Sequence, residues 1–341
     1  MKVLNKFVSV FVSSLLLSGI ASAQDNPEFK PELESIYDNI ILKNASIASQ
    51  NCRQLEEKIK LKVQDPTNTD YADKFLAFVN SWRAVQTDYI LGDLSEDYLD
   101  HPNLIDTFHN GKEDFVAVLK RALEGDTAAD KALFKNSTKS LNSLEYVLYG
   151  DSVISTRDLE FAQVMVASIC KRVDDIEQGY KEAKSTYLEN PNKSLASLVN
   201  ALSTSIFTTK EWRIGDPAGL TRKYLDKPDH NRSEMPYSSI NFRSLKAVYK
   251  AQKELLDPNS EHKNLFHILD KFKVKKVGEE INETLNQVIA KLDPISSDFD
   301  LFKPETIKPI YELSNKLYKL YYVSLISELP VVAKVMDADG D

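Results

Sequence analysis

The chain has 341 residues, 42% of them hydrophobic and 28% charged, with a formal net charge of −8, the balance of a globular protein with a substantial core. Acidity of this kind argues against nucleic acid or an anionic membrane surface as partner, and it is compatible with cation binding. Only 10 Gly and 13 Pro interrupt tracts rich in Leu, Lys, Glu and Ala, which favours helices over a many-stranded sheet.

The first 23 residues read as a leader rather than as part of the fold. Lys2 and Lys6 give a positive start, Phe7–Ile20 an apolar run broken by serines, and Ala21-Ser22-Ala23 a small-residue cleavage site. The run is too short and too rich in serine for a membrane span. No Cys stands at the cleavage point, so a lipoprotein route is not expected. The mature chain is expected to begin at Gln24 in the periplasm, and loss of Lys2 and Lys6 takes the charge from −8 to −10. No later stretch is long and apolar enough for a transmembrane helix.

Leu33–Gln64 reads as a helix loosened near Asn44–Asn51. Asp65-Pro66-Thr67-Asn68 is a turn, and Asp70 is placed to cap the next helix, whose stripe is Phe75, Phe78, Val79, Trp82, Val85 and Tyr89. Residues 93–114 form an acidic, Gly-punctuated irregular stretch. Phe115–Leu123 and Ala128–Lys135 are short helices, and Thr156–Tyr187 is a long one carrying Cys170. Glu189-Asn190-Pro191-Asn192 is the expected boundary between an N-terminal half (24–189) and a C-terminal half (190–341). Beyond it lie a helix over Ser194–Trp212, an irregular stretch over 213–237, and helices over Ser239–Leu256, Leu265–Leu292 and Thr306–Leu325. The reading is all-α: two helical bundles packed side by side. Trp82-Arg83 and Trp212-Arg213, each near a helix end and ahead of a Gly, echo one another across the halves. Cys52 and Cys170 are the two cysteines. In an oxidising compartment they are expected to pair, a constraint of about 4–5 kcal/mol in the chain-entropy model; the alternative is two buried thiols.

Asn136–Asp151 (NSTKSLNSLEYVLYGD) is the stretch with the most chemistry. Leu144–Tyr149 is apolar or aromatic on almost every side, the mark of a buried helix, yet it carries Glu145. A carboxylate there needs partners or a shifted pKa, and Asn142 projects from the same face. Glu145 is therefore either a site residue or a structural carboxylate paired with an arginine such as Arg83, Arg213 or Arg222. Asp106, His109 and Glu113 would share a face if helical, a donor set suited to a divalent metal. Asn110-Gly111 argues for a turn there, and a lone turn histidine is commonly an ordinary hydrogen-bonding residue. HExxH, GxSxG, Gly-rich phosphate loops and nucleotide fingerprints are all missing.

WRAVQ at Trp82–Gln86, IDTFHNGKED at Ile105–Asp114, SLNSLEYVLYG at Ser140–Gly150 and KEWRIGDPAGL at Lys210–Leu220 together resemble the imelysin-like family, over nearly the whole mature chain. The resemblance implies two related helical bundles with a groove between them, in bacterial envelope proteins that are named as peptidases or associated with iron uptake. The family hallmark G-x-H-x-x-E, proposed to bind metal or act in peptidase chemistry, places its Glu at Glu145, its Gly at Ser140 and its His at Asn142. Asn is a poor transition-metal ligand beside imidazole and cannot act as a general base near neutral pH.

The leading expectation is thus a non-catalytic periplasmic protein that binds a small ligand or a divalent metal, iron or zinc, in connection with iron uptake. Its groove would be lined by Trp82, Arg83, His109, Asn142, Glu145, Tyr146 and Arg213, and a metal would rest on Glu145 and His109. Two alternatives are a metal-dependent peptidase, with Glu145 as ligand or base, and a module that docks other envelope proteins.

Overall fold

The computed structural model describes residues 27–65, 67, 71–110 and 113–332. The expected leader, the cap at Asp70 and the chain end after Val332 lie outside them. Among the described residues every regular element is helical and there is no strand. No described helix is long and apolar enough to cross a membrane.

The first long helix is α1, Leu42–Gln64, entered without a break from Lys30–Ile36 through a wide π-type turn, Tyr37–Ile41. Its buried residues Ala45, Ala48, Cys52, Leu55 and Ile59 recur at three- and four-residue steps, so one stripe faces the core. The expected loosening near Asn44–Asn51 does not occur. The polar residues responsible for it bond sideways instead: Asn44 to Asp88, Ser46 to Glu177 and Ser49 to Asp174. The helix is kept because its polar side chains find tertiary partners rather than competing for its own backbone.

Helix α2, Tyr71–Thr87, buries Phe75, Phe78, Val79, Trp82 and Val85. Short turns follow at Leu91–Leu94, Glu96–Tyr98 and His101–Ile105. Helix α3, Leu141–Tyr149, starts where the Ser140 side chain accepts from the Ser143 amide, and every residue from Leu141 to Leu148 is buried. Helix α4, Thr156–Glu189, opens on a capping box of Ser155 and Asp158. Cys170 on α4 is bonded to Cys52 on α1, with Cα atoms 5.4 Å apart. Helices α1, α2 and α4 pack together, with α3 laid on α4.

Asn190 ends α4 and caps α5, Pro191–Thr208, in one step. A second π-type segment, Thr209–Gly215, prolongs α5 through Trp212 and Arg213, so Arg213 is on a helical turn and not in the expected loop. Helices α6, Asn241–Leu256, α7, Lys275–Leu292, and α8, Pro304–Lys319, complete the second group. The single helix expected over Leu265–Leu292 is two, Leu265–Lys271 and Lys275–Leu292, broken where Lys273 takes φ 62. The two groups meet where α6 packs on α2, and one apolar core runs through both.

Candidate functional site

At the α2–α6 seam, Arg83 is fully buried. Its Nε donates to Ser244 Oγ (2.9 Å), its Nη1 to Asp106 Oδ2 (2.6 Å) and Gln86 Oε1 (2.6 Å), and its Nη2 lies 3.2 Å from Glu234 Oε2. Arg213 reaches the same Glu234 oxygen through Nε at 2.9 Å. The two Trp-Arg pairs of the sequence thus converge on one carboxylate. Their tryptophans diverge: Trp82 is buried in the core, whereas Trp212 is half-buried with its ring stacked on His109, centroids 4.6 Å apart and planes 4° from parallel. Burial works against the charge of Asp106, but Arg83, the Phe108 amide and Arg213 together outweigh it and hold the carboxyl below its ordinary range. Burial likewise opposes the charge of Arg213, and Glu234 more than restores it.

The arginines are therefore committed to Asp106 and Glu234. Among the described residues neither they nor Arg222, which is exposed, pairs with Glu145. Its Oε1 instead accepts from the Tyr237 amide (3.1 Å), the Ser238 amide (2.8 Å) and the Ser238 hydroxyl (2.6 Å). Its Oε2 is buried without a hydrogen-bond partner. Desolvation pushes the carboxyl up to about 7, the bonds from Ser238 and Tyr237 offsetting part of the rise.

Glu145 lies on the wall of a pocket of about 490 Å³ lined by side chains from 107–145 and 216–237. His109, Asn142, Asp216 and Glu234 share that wall, with Phe108, Phe115, Tyr224 and Tyr237 as its aromatic part. A second pocket of about 340 Å³ holds Arg83, Arg213, Asp106 and Trp212, and Phe108, Asn110 and Glu234 stand between the two. Of the residues expected to line a groove, the structure gathers His109, Asn142 and Glu145 in the first pocket and Arg83 and Arg213 in the second. Trp82 lines neither. Tyr146 stays behind the wall, its ring edge-on to Tyr237 at 5.2 Å.

The Asp106–His109–Glu113 face does not form, because residues 106–110 and 113–114 are not helical and His109 itself takes φ 58. Asp106 goes to Arg83, and Glu113 pairs with Lys135 and Ser137. His109 places Nε2 3.5 Å from Asp216 Oδ2, and burial keeps its pKa below the ordinary value, with Asp216 pulling the other way. Asn142, at the hallmark histidine position, is a tie between loops. Its Oδ1 accepts from the Thr107 amide (2.9 Å) and hydroxyl (3.1 Å), and its Nδ2 donates to the Glu234 carbonyl (3.4 Å).

This donor set does not fit a transition metal. Asn142 has spent its oxygen, one Glu145 oxygen is saturated, and no three His, Cys, Asp or Glu side chains among the described residues are grouped to hold an ion. Sequence reasoning missed Asp216, Glu234 and Ser238. Asp216 falls inside the KEWRIGDPAGL motif, which does not by itself mark its carboxylate, and nothing local marks Glu234 or Ser238, whose partners are distant in sequence.

Fold and site define an all-helical protein with a polar-anchored pocket between two sets of loops. The sequence pattern of the imelysin family matches residues 41–320, and the chain belongs to that family. Its fold is similar to that of an imelysin-like protein from Psychrobacter arcticum 273-4, with TM-score 0.74 and 14% identity over 90% of this chain and 96% of that one. It is also similar to a protein from Parabacteroides distasonis ATCC 8503 described as a candidate iron-regulated protein A precursor, with TM-score 0.68 and 12% identity over 88% and 95%. No curated protein matches the chain in sequence.

Proposed function

We propose that the protein is a non-catalytic ligand-binding member of the imelysin family, secreted to the periplasm and serving iron acquisition, with the Glu145 pocket as its binding site between the halves 24–189 and 190–341. The observation that carries this reading is the Glu145 carboxylate: one oxygen is fixed by three donors, the other is buried without a hydrogen-bond partner, and the residue lines a pocket of about 490 Å³. A buried acceptor left unsatisfied costs about 1–3 kcal/mol, and a ligand donor is the simplest way to recover it. The iron connection is supported by the description of the Parabacteroides relative. The peptidase in the family's history finds no support in the donor set, since Asn142 and the His109–Asp216 pair supply neither a metal cage nor a base beside Glu145.

Protein isolated from its own periplasm, from cells grown with and without iron, tests the reading by native mass spectrometry and elemental analysis. The expected result is a small organic ligand that co-purifies with wild type and is lost in Glu145→Ala, with less than a tenth of an equivalent of metal and more protein made under iron limitation. A stoichiometric, chelator-sensitive metal together with peptide hydrolysis would overturn it.

A further inference from the structure

We infer that the Glu145 pocket selects organic cations, with a protonated amine of the ligand seated against Glu145 Oε2 and drawn by Asp216 on the facing loop. The inference rests on the ligand-binding reading above and names the chemical class of what is bound.

The pocket lining carries two carboxylates, Glu145 and Asp216. Glu145 Oε2 is a carboxylate oxygen with no donor of its own. Asp216 is also buried, its Oδ1 taken by the Thr221 hydroxyl at 2.6 Å and its Oδ2 facing His109 at 3.5 Å, too long for a good hydrogen bond. Burial keeps His109 below its ordinary pKa, which disfavours an imidazolium beside Asp216. Two carboxylates of one pocket are thus left undercompensated.

Among the described residues, the pocket's own cations do not supply what is missing. The Arg232 guanidinium lies on the Tyr224 ring, 4.1 Å from its centroid, and donates to the carbonyls of Asp216 and Lys227. The Lys223 ammonium sits 5.3 Å from the same ring. Neither reaches Glu145 Oε2. An ammonium brings three donors and a full charge to this place, whereas a neutral hydroxyl brings one donor and no charge. The aromatic walls, Phe108, Phe115 and Tyr237, would cover the methylenes next to a cation and favour it further through their ring faces. An anionic ligand would meet two carboxylates and is disfavoured by the same geometry.

Three probes of equal length and different charge separate the possibilities: 1,4-diaminobutane, 1,4-butanediol and succinate, titrated calorimetrically into the intact mature protein at pH 8. The expected order is measurable binding of the diamine, at least tenfold weaker binding of the diol and none of succinate. Glu145→Gln keeps an oxygen for the Tyr237 and Ser238 amides, so the turn that shapes the pocket stays anchored, and it should weaken diamine binding at least tenfold. Asp216→Asn should weaken it several-fold. Circular dichroism of each variant verifies folding. Absence of diamine binding, equal or better binding of the diol or succinate, or diamine affinity unchanged in Glu145→Gln overturns the inference. Glu145-dependent binding of the diol alone would reject the cation while leaving the ligand-binding reading intact. A metal-loaded, hydrolytic protein would reject that reading instead.

Discussion

Burial lifts the Glu145 carboxyl to about 7, against 4.5 for an ordinary one, so the folded protein holds this proton where the unfolded chain has lost it. Between these two values the native state binds more protons than the unfolded state, and stability must fall as pH rises through the window. The contribution is fully present below about 4.5 and lost above about 7, and a shift of that size corresponds to about 3 kcal/mol. Glu145→Gln is neutral at every pH and retains an acceptor for the backbone of Tyr237 and Ser238. Urea unfolding of both proteins at pH 5 and pH 8 should therefore show the variant gaining about 2–3 kcal/mol on wild type across the interval. Parallel pH profiles would place the proton elsewhere. Glu234 differs: its Oε1 also lacks a hydrogen-bond partner, but its Oε2 faces the fully buried Arg83 and the largely buried Arg213, and a carboxylate so paired costs far less to bury than one left alone.

What the helices reveal from sequence is decided by range. The stripes of α1 and α2 repeat within a few residues, so Phe75, Phe78 and Trp82 declare the core face by their spacing alone. The buried character of α3 is legible in the same way, and Glu145 stands out because it breaks an otherwise apolar run. Its bonds to Tyr237 and Ser238 lie more than ninety residues away and leave no local trace. The same holds for Asp216, whose placement depends on a turn that folds back on itself. There the Leu220 amide donates to the Gly215 carbonyl (2.8 Å), Asp226 to Gly219 (2.9 Å) and Asp229 to Pro217 (2.9 Å). Gly219 takes φ 67 at the end of Asp216–Ala218, and a Cβ added there would lie 2.8 Å from Pro228 N and 2.9 Å from Lys227 backbone atoms. Left-handed backbone costs a residue with a Cβ about 1–2 kcal/mol, and the backbone neighbour cannot turn aside as a side-chain tip could. Gly219→Ala should accordingly lower unfolding free energy by about 2 kcal/mol or more in urea titrations. A loss below about half a kcal/mol would mean that the turn is not holding this shape.

At the scale of the whole molecule, all-helical architecture follows from composition and periodicity, but how the helix groups meet does not. The α2–α6 contact is joined by Arg83, whose partners Asp106, Glu234 and Ser244 are spread over the chain, and only the Trp-Arg echo hinted that Arg83 and Arg213 belong together. The Cys52–Cys170 bond is a separate constraint, internal to the first group of helices, joining positions 118 apart in sequence. Closing a loop of that length restricts the unfolded chain by about 4–5 kcal/mol in the chain-entropy model, a large part of the net stability of a typical domain. Neither α1 nor α4 contributes a side chain to the Glu145 pocket. The bond should therefore matter to persistence of the fold and not to recognition. Replacing both cysteines by alanine is expected to lower the unfolding free energy by about 4 kcal/mol, measured by urea titration at 25 °C. Diamine affinity of the fraction that remains folded should stay within twofold of wild type. A drop in affinity without loss of stability would tie α1 and α4 to the pocket and contradict this division of labour.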